Sequence, residues 1–130
     1  MKMEQFFIQD EANEGVKFPL SLPDGTETDW FLMVRSQWSD AFQKALQDAH
    51  REDFQAAAKG EDIDPTERHV CLCAALVAGW NLDEEFTEEN VKLLLRKNAK
   101  LRKGIDQRAS NDARFFRKPS SDSTTGRKKK

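Results

Sequence analysis

The sequence is short of nearly everything that export, membrane insertion or catalysis requires. No basic stretch followed by an apolar core opens the chain, and no run approaches the ~20 apolar residues that span a bilayer; neither export nor insertion is expected. Only two cysteines occur, Cys71 and Cys73. Two residues apart in a helical pattern they point to nearly opposite sides, so they form no bond with each other and suit a reducing compartment. There is no glycine-rich loop to cradle phosphate and no internal repeat. With 130 residues the chain is long enough for one modest core, and a single domain is expected over residues 1–117.

What is present is divided by charge. Residues 1–91 hold 7 Lys and Arg against 20 Asp and Glu, whereas residues 92–130 hold 14 against 3. Such a division marks solvated helix faces and a basic tail, or a surface that meets an oppositely charged partner. A head-to-tail homo-oligomer, acidic end against basic end, is one arrangement it allows.

Along the chain, Val16, Phe18, Leu20 and Leu22 alternate with Lys17, Pro19 and Ser21, the pattern of a half-buried strand that Pro19 confines to a sheet edge. Pro23-Asp24-Gly25 is a turn, and Trp30–Val34 reads as the returning strand. The hairpin is expected over about 16–34. Ser36 is a candidate N-cap for a helix over 37–59, with Trp38, Phe42, Ala45, Leu46 and Ala49 at helical spacing and Gly60 as its stop. Asp64-Pro65, with Glu67 behind it, opens a helix over 65–80 that is apolar all round from Val70 to Trp80. A helix without a polar face belongs in the middle, and Gly79 or Asn81 would end it through a left-handed residue. Thr87, with Glu88 and Glu89, caps a helix over 88–97, and a last one runs over 99–117. The fold class expected is α+β, predominantly α-helical, with an N-terminal β-hairpin packed on a bundle of about four helices. Residues 118–130, KPSSDSTTGRKKK, contain nothing to bury and read as a disordered basic tail.

The candidates for chemistry are few. His69 and Cys73 share a helical face at i and i+4, with Cys71 between them. Structural zinc needs four ligands, and His50 has no motif spacing to the trio. The cysteines are therefore expected as small packing residues, with no metal and no cofactor. A thiolate inside an apolar helix is disfavoured, which removes cysteine nucleophilic catalysis. Asp83-Glu84-Glu85 and Glu88-Glu89 are explained by solvation and the helix dipole rather than by acid-base work. No catalytic residue is assigned, and an enzyme is not expected.

Two binding functions remain. The basic half, including Lys92, Arg96, Lys97, Lys100, Arg102, Lys103, Arg108 and Arg114, could meet phosphates and make a small nucleic-acid-binding protein. It lacks a recognition-helix motif or aromatic stacking platform, and the acidic half would repel DNA. The other function is suggested by LVAGWN (Leu76–Asn81), the acidic spacer, FTEENVKLLL (Phe86–Leu95) and NDARFF (Asn111–Phe116). In that order these segments resemble the tail assembly chaperones of long-tailed bacteriophages, and EGVKFPLSLPDGTE upstream fits as well, so the resemblance covers about residues 14–116. RKNAKLRKG departs from it, because family members often carry an aromatic-proline pair or acidic residues there.

The resemblance implies a non-enzymatic accessory protein of the host cell cytoplasm, made during virion assembly and absent from the mature virion. Its partners would be the tape measure protein, which it keeps soluble, and the major tail tube protein. Wide apolar arcs on short helices suit such work, so Leu93, Leu94, Leu101, Ile105, Phe115 and Phe116 are the candidate partner-binding residues.

Overall fold

The computed structural model describes residues 1–116. The expected basic tail, 118–130, lies outside the described residues. In chain order come a 3-10 turn (Met3–Phe6), α1 (Gln9–Glu14), β1 (Val16–Ser21), β2 (Glu27–Val34), α2 (Asp40–Lys59), α3 (Pro65–Leu76), β3 (Val77–Trp80), α4 (Glu88–Arg96), α5 (Ala99–Ala109) and a second 3-10 turn (Asp112–Arg114). The class is α+β and helix-dominated, with the N-terminal hairpin in place.

The hairpin forms where the alternation places it. Val16 pairs with Val34 and Phe18 with Leu32, in antiparallel register. Between the strands Gly25 takes φ 94°, and the Asp24 carboxylate accepts the Thr26 N–H at 2.9 Å. Pro19 lies on the edge strand of the order β1-β2-β3, where a missing donor is tolerated.

The third strand corrects the sequence reading. The helix expected to run through Trp80 ends at Leu76; Val77, its C-cap, is already extended at φ −91°, ψ 120°. Val77–Trp80 then pairs antiparallel with β2, setting Leu32 against Trp80 and Met33 against Gly79. A short apolar run is compatible with buried helix or buried strand, and here the open edge of β2 decides in favour of the strand. Gly79 has no positive φ. The Arg35 guanidinium donates to the carbonyls of Ala75 at 3.0 Å and Val77 at 3.3 Å, tying together the junction of helix and strand.

α3 and α5 pack on this sheet and α2 and α4 pack on α3, each of the four started by a side-chain cap. Ser39, not Ser36, caps α2 and accepts the Phe42 N–H; Ser36 is buried and accepts the Trp38 N–H at 3.0 Å. Gly60, at φ 70°, stops α2. Asp64, Thr87 and Asn98 cap α3, α4 and α5. The last helix stops at Ala109, well short of 117; the chain then makes its 3-10 turn and Phe115 folds back, 6% exposed. The main cluster of buried side chains joins Leu32 and Val34 of β2, Val70, Cys73 and Leu76 of α3, Val91 and Leu95 of α4, and Leu101 and Ile105 of α5. Each large aliphatic buried there contributes about 1.5–3 kcal/mol. α3 packs against α2, α4 and α5, the central position its apolar surface predicts.

Candidate functional site

Most of the apolar residues expected at a partner surface are spent on this core. Leu101, Ile105 and Phe115 are buried. Leu94 packs against the core cluster from its margin, and Phe116 is half-buried, its ring 6.0 Å from that of Phe115. Of the six, Leu93 alone is exposed, at 50%. The physical reason lies in α4, where Leu95 faces inward, Leu94 the rim and Leu93 solvent; three consecutive residues on a helix span about 200°. The stripe of α5 is narrow enough to be consumed by α3 and the sheet. These six do not form one open surface.

Leu22, Trp30, Trp38, Phe54 and Phe86 are exposed at scattered positions, but the run of exposed apolar side chains adjacent in sequence lies at the N-terminus, where the sequence pattern assigns no site. Met3 is 72% exposed, Phe6 69%, Phe7 59% and Ile8 37%. Phe6–Glu11 line an open cleft of about 530 Å³. The same stretch carries the exposed acids Glu4, Asp10, Glu11 and Glu14 against one exposed base, Lys2, so the apolar patch has a net-acidic surround.

This segment is held by polar bonds that leave its aromatic side chains outside. Ala12 of α1 is fully buried, and its carbonyl accepts the Ser36 N–H at 3.2 Å. Asn13 and the start of α2 exchange two bonds: the Asn13 amide donates to Asp40 Oδ2 at 2.9 Å, and the Asp40 N–H donates to Asn13 Oδ1 at 2.8 Å. Gln9 donates to the Trp38 carbonyl at 2.8 Å and to Asp40 Oδ1 at 2.9 Å. Gly15 lets the chain turn into β1 at φ 88°, and a Cβ there would stand 3.0 Å from the Val34 carbonyl oxygen. The signal for this site was available as Phe6-Phe7-Ile8, an apolar triplet too short to be a strand or helix of its own.

The acidic spacer has a structural role. The Trp80 indole N–H donates to the Glu84 carbonyl at 2.9 Å, and its ring meets Phe86 edge-on with centroids 5.2 Å apart. Asn81 extends the sheet: its amide donates to the Asp29 carbonyl, and its Oδ1 accepts the Phe31 N–H at 2.8 Å.

Several basic side chains are occupied internally. Arg96 forms a two-pronged pair with Glu67 at 2.6 and 3.0 Å, and Lys92 pairs with Glu88 at 2.7 Å. Arg102 donates to the Leu95 carbonyl at 2.6 Å, and Arg108 donates to the Lys17 carbonyl at 2.7 Å while lying over the Phe18 ring.

One polar cluster joins α3 to α5. His69 Nε2 lies 2.5 Å from Asp106 Oδ2, the Cys73 thiol 3.4 Å from Asp106 Oδ1, and Arg102 Nε donates to His69 Nδ1 at 3.2 Å. Burial, and then the neighbouring Asp106 carboxylate, push the Cys73 thiol far above its ordinary value, the opposite of what an activated nucleophile needs. Cys71, expected as a packing residue, is exposed.

The family model described as phage tail assembly chaperone matches residues 4–108. The chain belongs to that family. The match takes in the exposed N-terminal segment from Glu4, which lies upstream of the resemblance noted in the sequence, and it stops before NDARFF. As a phage tail assembly chaperone the chain has a role in tail assembly, in a family that is generally non-catalytic. No curated protein and no solved structure matches the chain. Among the described residues, no helix is long and apolar enough to cross a membrane.

Proposed function

We propose that this tail assembly chaperone binds the tape measure protein, keeps it soluble, and helps recruit tail tube subunits to it in the host cell cytoplasm before leaving the finished particle. The observation that carries this reading is the exposed Met3–Ile8 segment, which lies inside the family match from Glu4 onward and is clamped to the fold through α1. Contiguous exposed apolar side chains ringed by polar ones are the usual form of a protein-binding patch, and an extended, aggregation-prone client needs its apolar helices covered. The acidic surround favours client segments that carry Lys or Arg beside their apolar stripe.

Co-expression with a tape measure fragment tests the reading. The fragment is expected in the soluble fraction and to co-purify with the chaperone. A fragment that precipitates equally with and without it counts against the proposal. The nucleic-acid reading has less support, because Lys92, Arg96, Arg102 and Arg108 are engaged within the chain; a duplex-DNA shift with steep salt dependence would revive it.

A further inference from the structure

The cluster between α3 and α5 brings together three different metal-ligating side chains. His69 and Cys73, one helical turn apart, present Nε2 and Sγ on one face of α3, and Asp106 of α5 presents its carboxylate to both. One ligand atom from each lies within 4.8 Å of the others. With bonds of roughly 2.0–2.3 Å, the ligands of a tetrahedral zinc ion stand about 3.3–3.8 Å apart, so shifts of about an ångström would close the set around an ion. Imidazole, thiolate and carboxylate together are a borderline-soft donor set that favours zinc-like ions over magnesium or calcium. His69 and Asp106 side chains are 37% and 47% exposed, which gives an ion a path from solvent.

We propose that His69, Cys73 and Asp106 form a site for a divalent transition-metal ion of the zinc class, with water completing the tetrahedron. On binding, the Cys73 S–H bond breaks, a sulfur–metal bond forms, and the proton leaves to solvent; no electron is transferred. Arg102 donates to His69 Nδ1, which places the ring proton of neutral His69 on Nε2. Metal at Nε2 moves that proton to Nδ1, so the Arg102 Nε–H gives up its bond to the ring while Arg102 Nη1 keeps its bond to the Leu95 carbonyl. The ion would clamp α3 to α5 and stabilise the folded chain in proportion to its occupancy. Asp106, 33 residues from Cys73, is the ligand that sequence spacing could not supply.

The test is titration of the reduced, metal-free, untagged full chain with Co²⁺. Saturation at one equivalent is expected, with a thiolate-to-cobalt charge-transfer band that Zn²⁺ abolishes. Cys71→Ser should keep the band and Cys73→Ser should lose it. Asp106→Asn and His69→Gln, at half-exposed positions that tolerate change, should each weaken binding by about tenfold or more. The proposal is overturned if the wild-type chain gives no charge-transfer band, or if the band survives Cys73→Ser. Should Cys73→Ser fail to fold, unchanged affinity in both the His69 and Asp106 variants overturns it equally.

Discussion

At the scale of single residues, sequence signals that rest on local backbone chemistry were the most legible. Gly60 as a helix stop, Asp64-Pro65 as a helix start and Thr87 as a cap each act within a few residues, and each stands where the pattern put it. Gly15 was not legible, because its requirement comes from β2. Its φ of 88° combines with a carbonyl oxygen 3.0 Å from where a Cβ would be, so both strain and a clash against rigid backbone oppose any side chain. Gly15→Ala is expected to cost about 1–3 kcal/mol, read as a lower midpoint in urea unfolding. An unchanged midpoint would mean that this turn relaxes freely.

At the scale of elements, the misreading of Val77–Trp80 shows where periodicity fails. Leu76, Val77 and Trp80 fit a helix as well as a strand, and the choice is made by β2, more than forty residues away in sequence, whose unpaired edge needs partners. Ser36 failed as a cap for a related reason: the chain needs three more residues to leave the sheet before Ser39 starts α2. Asn81 closes the third strand through its side chain, and Asn81→Ala is expected to cost about 1–2 kcal/mol by unpairing backbone groups of β2. A loss no larger than that of an ordinary surface substitution would show that water replaces those bonds.

The helices also respond to acid. Hydrogen bonding by Arg96 holds Glu67 below its ordinary 4.5, and Lys92 does the same for Glu88. A carboxylate lowered in the folded state contributes stability above its unfolded value and loses it as the pH falls through the lower folded value. The melting temperature should therefore decline as the pH drops below 4.5, and Glu67→Gln should make that decline shallower. Glu88 is exposed and Glu67 half-exposed, so the effect is small and weakens with salt. A Glu67→Gln profile parallel to wild type would remove this pair from the account.

For the whole molecule, fold class and central helix were readable because they depend on how much apolar surface each segment carries. The exposed apolar patch was not, because exposure is a property of the assembled chain. Leu101 and Ile105 resemble surplus apolar residues until α3 and β2 are seen to consume them, whereas Phe6-Phe7-Ile8 looks incidental until α1 is seen to pin it outward. The charge asymmetry is spent in part on pairs that tie the bases of α4 to acids, such as Arg96 with Glu67.

The proposal that the N-terminal apolar patch holds the client is tested most directly by comparing wild type with the Phe6→Ser/Phe7→Ser double variant in co-expression with a tape measure fragment. Because both side chains are largely exposed, the variant should keep the wild-type unfolding midpoint to within about 0.5 kcal/mol per site. It should also lose most of the soluble, co-purifying client. A variant that is equally stable and holds the client as well as wild type would contradict the account.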